Sequence, residues 1–394
     1  MEERVRLLIE KHKDDKDLTS EKDYIQLGWD WSHADLRNWN LLGLRFSIYG
    51  HIADFTGVSF FNANLMDAVF SHARLATTDL TEANLEGTQF DGAYLSKANL
   101  SCAKAKGANF SGANLQNANL WRADLEQARL NNNAKLQNSF IFASNLKRAQ
   151  LNGSNFTGAD LGNANLEYAN LSQANLRDAK MNFHTILNNA RLYQTDFKNS
   201  QLKHVHFFLD VIIPEEKKNE LREAKEIYLS LKNYFKDEGM YEVSSHYYYR
   251  EMLMARKLKW NKIKIHRWNK KSIYKSCGTL CRLYWDWFGS KIMDLTTGYG
   301  EKPFRVIGWW AGIVGGFSLI YWLGNGIKNH PFADAYNPTF WQSLYFSIVS
   351  FTTLGYGDFS PKDGIFQFFA SFEAFLGAFF MALFVFVFTR KMIR

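Results

Sequence analysis

Thr352-Thr353-Leu354-Gly355-Tyr356-Gly357-Asp358 is the stretch of this 394-residue sequence whose residue types and spacing point most directly to chemistry. Glycines at alternate positions allow an extended backbone to aim successive carbonyl oxygens at one axis, where they could stand in for the water around a cation. Thr297-Gly298-Tyr299-Gly300 repeats much of the pattern earlier in the chain. It has no apolar helix ahead of it and lies among Lys291, Glu301 and Lys302, so a turn feeding the next helix is expected there. The other reactive residues do not assemble. Cys102, Cys277 and Cys281 are too few and too scattered for a disulfide framework or a four-ligand zinc site. His246 and His266 lack metal-ligand spacing, and His204 with His206 suits capping better than coordination. Neither a nucleophile elbow nor a phosphate loop nor a pair of catalytic carboxylates is present, so neither an enzyme nor a cofactor is expected.

A segment that presents backbone oxygens needs rigid elements on both sides. Val306 to Ile327 is uncharged and apolar, and Ile365 to Thr389 is apolar apart from Glu373. Each is long enough to cross a bilayer, which takes ~20 helical residues. Between them, Phe340, Trp341, Leu344, Phe346, Ile348 and Phe351 make the connection too apolar for a solvated linker, and a re-entrant helix is expected. Basic residues precede the first span and recur at Arg390, Lys391 and Arg394, while the connection holds little beyond Lys328 and Lys362. The positive-inside rule then puts both termini in the cytoplasm of a multi-pass cell (inner) membrane protein. The first thirty residues contain no apolar stretch of signal-peptide length.

Residues 352–358 resemble the potassium-channel filter signature T-V-G-Y-G-D, with Leu354 where that family has Val or Ile. The resemblance implies that K⁺, as permeant ion, is held by the Thr353 hydroxyl and by the carbonyls of Thr353, Leu354, Gly355 and Tyr356, with Gly357 completing the filter. It further implies that Thr352 and Asp358 support the filter from behind and that four copies close the ring as a homotetramer. Glu373 is an ionisable group inside a span and is expected to support the filter region, by a hydrogen bond to the helix before it or electrostatically. Gly377 lies nineteen residues past Asp358, where the pore-lining helix of the family often has its hinge; a small residue for close packing is the equal alternative. Helical spacing beyond it turns Phe380 or Met381, Phe384 and Phe388 toward the axis, where a ring of phenylalanines would gate by dewetting.

The first half is built differently. From Phe55 a large apolar residue returns every fifth position, through Phe60, Leu65, Phe70, Leu75 and Leu80, and Ala commonly stands two positions before it. A period of five fits neither a helix nor a flat strand, so the backbone must turn a corner in every repeat. Four corners close a square coil of about twenty residues, and coils stack at the ~4.8 Å spacing of paired strands. The register is expected to slip at Asn131 to Asn133, and again near Asn189, leaving Met181 and Ile186 inward before the second slip. Ala113-Asn114-Leu115, Ala118-Asn119-Leu120 and Ala164-Asn165-Leu166 resemble the pentapeptide-repeat family, which implies a right-handed quadrilateral β-helix. Some of that family are acidic mimics of DNA. Residues 53 to 210 carry thirteen Asp and Glu against fourteen Lys and Arg, too balanced for such a mimic, and no nucleic-acid partner is expected.

At Pro214 the composition turns to Glu, Lys and Tyr. Glu215 to Asp237 is expected to form one helix, with Leu221, Ala224, Tyr228, Leu231 and Tyr234 on its packed face, and Tyr241 to Lys259 a second, antiparallel one. From Arg250 to Lys302 the chain is basic and rich in Trp, which favours an anionic membrane surface over nucleic acid. The expected fold is therefore multi-domain: a cap (1–52), the β-solenoid (53–210), a basic helical connector (211–302) and an all-α two-span pore domain (303–394). A mean hydropathy of -0.30 and a net charge of +8 average over these unlike parts. The whole resembles pentapeptide-repeat potassium channels, which implies K⁺ conduction in a lipid bilayer with gating influenced by an unidentified ligand or protein on the solenoid. A membrane-tethered scaffold without flux is the competing reading.

Overall fold

The five-residue period, the helical connector and the apolar spans all take regular form in a computed structural model. It describes residues 10–11, 14, 35–41, 43–44, 46, 52–205, 213–268, 273–329, 337–355, 357–362 and 364–392. The chain forms two compact units, 1–247 and 248–394, and this boundary falls inside the segment expected to be the connector.

In the first unit each repeat contributes one parallel bridge to the coil above it, twenty residues on, as in Asp54↔Arg74 and Asp79↔Asn99. The corners are tight turns: Val58 N–H donates to Phe55 O at 3.0 Å, with Gly57 at φ 71°. The same left-handed backbone recurs at Asn62, Asp67 and His72, and Asn and Asp tolerate it better than most side chains. Phe60, Leu65, Leu75 and their successors are fully buried, and so are the Ala residues between them. Phe70, Phe90 and Phe110, one coil apart, stack with ring centroids 5.4 and 4.9 Å apart.

Two boundaries differ from expectation. Coiling begins at Asp35, inside the segment expected to be only a cap: Asp35↔Ser59 and Asn40↔Asn64 are bridges of 24 residues, and Leu36, Leu41 and Phe46 are buried at the five-residue spacing. The first slip falls where expected, and bridges lengthen to 21 residues from Asn114↔Lys135. The second comes earlier than Asn189. Residues 182–184 absorb the extra position, so Leu187 is buried while Ile186 is 40% exposed. Ile186 is thus an outward residue, and Leu187 takes its core place.

The C-terminal coils of this unit are closed by helices α1 (Pro214–Lys217) and α2 (Leu221–Asp237). A single helix was expected, but Asn219 at φ 63° breaks it. Arg191 faces Glu215 at 3.4 Å, Glu220 at 3.4 Å and Glu223 at 3.3 Å, and the Tyr234 hydroxyl donates to Ser200 O at 2.7 Å. Gly239, at φ 75°, ends α2 and lets its N–H return to Lys236 O. The next helix, α3, runs Tyr241–Trp268, past the expected Lys259, and Tyr247 stacks on Tyr228 and Phe235 to complete a hairpin.

In the second unit α4 (Ile273–Thr297) returns antiparallel along α3, with Trp260 on Trp287 and Lys259 Nζ donating to Asp286 O. An elbow leads into α5 (Pro303–Leu323), followed by β1 (Ile327–Asn329), α6 (Phe340–Phe351), β2 (Phe359–Pro361) and α7 (Ile365–Met392). The first span therefore stops at Leu323, and Ile327 pairs with Pro361 in the antiparallel β1–β2 ladder. A Cβ on Gly324 or Gly326 would strike the Phe366 ring, so the two glycines let the chain turn against α7. In α5 and α7 only 17% and 22% of the most apolar stretch is buried within the subunit. Helices this apolar and this uncovered suit lipid and sister subunits better than water.

Candidate ion-conduction site

The 352–358 segment starts where α6 stops. Thr339 caps the other end of that helix reciprocally with Gln342: Gln342 N–H donates to Thr339 Oγ1, and Thr339 N–H to Gln342 Oε1 at 2.8 Å. At the C-terminal end Thr352 N–H and Oγ1 donate to Ile348 O at 2.9 and 2.7 Å, and Leu354 N–H donates to Val349 O at 3.1 Å. These bonds tie the start of the segment to the helix end, where the helix dipole leaves partial negative charge favourable to a cation.

From Thr353 to Gly355 the backbone alternates in hand. Thr353 (φ 59°), Gly355 (φ 59°) and Gly357 (φ 81°) have positive φ, and Leu354 does not. Alternation of hand turns successive peptide planes so that N–H groups face one side and carbonyls the other. Thr353 is β-branched, and positive φ is costly for such a residue, which is the kind of strain that functional segments retain. The look-alike at 297–300 behaves otherwise: Gly298, Tyr299 and Gly300 have φ of 57°, 59° and 86° in succession, which makes an elbow. Lys302 N–H closes it on Thr297 O at 2.9 Å, and the Tyr299 hydroxyl meets Ser290 Oγ at 2.9 Å. Backbone hand separates two motifs that their residues do not.

Tyr356 lies outside the described residues. Leu354 is 61% exposed, so its side chain is not packed on α6 of its own subunit. Behind the segment, the Tyr345 hydroxyl of α6 donates to Asp358 Oδ2 at 3.2 Å.

Glu373 is fully buried on α7 and joins three helices. Its Oε2 accepts from the Tyr321 hydroxyl of α5 at 2.9 Å and its Oε1 from Ser347 Oγ of α6. Ser347 also faces Val314 O at 2.9 Å. Gly377 packs under the C-terminal end of α6, where a Cβ would lie 1.8 Å from Phe351 O. Phe380 and Phe384, members of the expected gate, continue this stripe within the subunit. Phe380 is 7% exposed in a cluster with Val306 and Phe351, and Phe384 packs on Trp310 at 5.1 Å. Met381 and Phe388, exposed on the subunit, are the remaining members of the expected gate. Tyr321, Tyr345 and Ser347 escaped the sequence reading. The signal for Ser347 was there, since Ser343 and Ser347 recur one turn apart in an otherwise apolar helix and both are buried.

Two apolar helices of spanning length thus hold a short capped helix whose end leads into the 352–358 segment, on the same chain as a β-solenoid. Residues 309–394 match the ion channel family, and pentapeptide repeats match in eight copies between residues 63 and 182, so the chain joins pentapeptide repeats to an ion channel domain. Among solved structures it is similar to HetL, a pentapeptide-repeat protein involved in heterocyst differentiation regulation from the cyanobacterium Nostoc sp. strain PCC 7120. The identity is 26%, over 50% of this chain and 95% of HetL, with a TM-score of 0.35. It is also similar to Rfr23, a pentapeptide-repeat protein from the cyanobacterium Cyanothece 51142, at 21% identity over 42% of this chain and 97% of Rfr23, with a TM-score of 0.20. No curated protein matches the sequence.

Proposed function

We propose that four copies of this chain surround the 352–358 segment and conduct K⁺ selectively across the cell (inner) membrane, with both termini cytoplasmic. The alternation of backbone hand over Thr353, Leu354 and Gly355 supports this reading, because such alternation turns successive carbonyls to one side as an ion-stripping filter requires. In the tetramer α6 is the re-entrant pore helix, its C-terminal end aimed at the ions, and Tyr345 braces Asp358 from behind. Leu354, exposed on the free subunit, seats against a sister subunit in the closed ring. Gly377 is the pivot of α7, and Met381 and Phe388 line its cytoplasmic half as the narrowing that gates. The solenoid binds a cytoplasmic ligand or protein that biases opening.

The test is the reversal potential of purified full-length protein in a planar bilayer with K⁺ on one side and Na⁺ on the other. A value near the K⁺ equilibrium potential supports the filter. A value near zero with real current overturns selectivity and leaves a cation pore.

A further inference from the structure

Outside the 352–358 segment, the second unit contains an open cleft of about 810 Å³ lined by α3, α4 and the first turns of α5. One end is cationic. Arg256, Lys291 and Arg305 face it with Asp294 as the lone carboxylate, which leaves two positive charges in excess. Arg256 Nη1 lies 2.5 Å from Asp294 Oδ2, and Arg305 Nη1 donates to Asp294 O at 2.6 Å while lying 3.4 Å from Oδ1. Burial alone would raise the Asp294 pKa, yet hydrogen bonds from Arg256 and Tyr249 outweigh it and hold the carboxylate below its ordinary range. Each guanidinium has five N–H donors, more than this carboxylate takes up. Lys291 has no carboxylate partner among the described residues; its Nζ sits 5.2 Å from the Trp287 ring centre.

The other end is apolar and runs along the span. Gly308 and Gly312, one turn apart on α5, line it, and a Cβ on either would meet nothing within 4 Å. Trp309 flanks this strip and braces it by donating from Nε1 to Leu295 O at 3.2 Å. From Arg305 to Gly312 the helix advances roughly 10 Å. A cationic mouth at the start of a membrane span thus opens onto a smooth apolar groove leading into the bilayer, with Trp at the level where interfacial Trp is enriched.

We propose that this cavity binds an anionic phospholipid, its phosphate among Arg256, Lys291 and Arg305 and an acyl chain over Gly308 and Gly312. The proposal rests on α5 being a span and is independent of what the channel conducts. Zwitterionic lipids offer the same phosphate with a cation beside it, which the net positive mouth repels. Free phosphate could satisfy the mouth but leaves the groove empty.

The test is native mass spectrometry of the full-length protein with phosphatidylglycerol, phosphatidylcholine or inorganic phosphate added. Phosphatidylglycerol is expected to be retained in preference to phosphatidylcholine. Lys291→Gln should weaken that retention about fivefold, the loss of roughly 1 kcal/mol from one surface cation. Gly312→Leu starts from a Cβ that meets nothing within 4 Å and replaces a poor helix former with a good one; with the fold checked by circular dichroism, it should fill the groove and abolish retention. Equal retention of the two lipids, or full displacement by inorganic phosphate with Gly312→Leu without effect, would overturn the lipid assignment. Because the readout is binding, a failed conduction experiment leaves it intact.

Discussion

The carbonyl oxygen of Phe351, the last residue of α6, lies so near the Cα of Gly377 on α7 that a Cβ there would come within 1.8 Å of it. The contact is backbone against backbone, so no rotamer change can relieve it. Gly377→Ala should therefore push the two helices apart and cost more than the ~1–3 kcal/mol usual for overpacking. The check is the thermal unfolding of the purified assembly together with its current in the bilayer. An unchanged melting temperature would mean that α6 and α7 do not meet this way.

At the Glu373 junction, Ser347 has one hydroxyl proton facing two acceptors, the Val314 carbonyl and Glu373 Oε1. An amide at 373 supplies the missing donor to Ser347 while its oxygen still accepts from Tyr321. Glu373→Gln is expected to match the parent in thermal stability. Tyr321→Phe, which leaves a buried acceptor without its donor, should cost about 1–3 kcal/mol. If Glu373→Gln proves as damaging as Tyr321→Phe, a charged carboxylate is needed there.

Tyr345→Phe removes only the hydroxyl that donates to Asp358. Loss of about 1 kcal/mol at one corner of the segment should loosen it more than it unfolds anything. A reversal potential shifted toward zero under K⁺/Na⁺ gradients, with assembly intact on size exclusion, is the expected result. An unshifted potential would show that the bond does not hold the segment.

The second register slip separates two adjacent residues sharply. Leu187→Ala, in the solenoid core, should cost about 2–5 kcal/mol. Ile186→Ala, on the outside, should stay within about 0.5 kcal/mol. Chemical denaturation of the full-length protein, followed through its β-structure, decides between this register and the opposite one.

Burial holds the Glu215 carboxyl above the ordinary carboxylate range, with Arg191 offsetting part of the effect, and Glu215 Oε2 has no hydrogen-bond partner. A group with a raised folded pKa binds its proton more tightly folded than unfolded. Its contribution is fully present below the unfolded carboxylate value and is lost as pH rises through the folded one. Glu215→Gln should raise the melting temperature of the solenoid transition at pH 7 and flatten its fall above the carboxylate range. A lower melting temperature at pH 7 would mean that the Arg191 pair outweighs burial.

What the sequence made legible was whatever repeats or is long. The five-residue period placed Leu65 or Leu166 in the core because every coil restates it, and the spans were readable from composition alone. Misplacements came where one residue decides: Asn219 breaks a helix, Gly324 ends a span, and the extra position at 182–184 exchanges Ile186 for Leu187. The 352–358 motif could be quoted directly, but its supports could not. Tyr345, Ser347 and Tyr321 lie 13, 26 and 52 residues from the groups they serve, and ordinary residue types at such separations announce nothing. Helical spacing places Phe380 and Phe384 on one stripe, while their partners Phe351 and Trp310, far away in sequence, come only from the fold.

Because every coil of the solenoid bonds only to the coils above and below, its surface is written in columns. Residues twenty apart, such as Lys106 and Glu126, stand one above the other and form ion pairs along the axis. An in-frame loss of residues 79–98 would set Asn99 in the place of Asp79, its bridge partner, and shorten the stack by one ~4.8 Å rung. Whole coils are therefore the unit in which this stack can be lengthened or shortened, with the remaining columns kept in register.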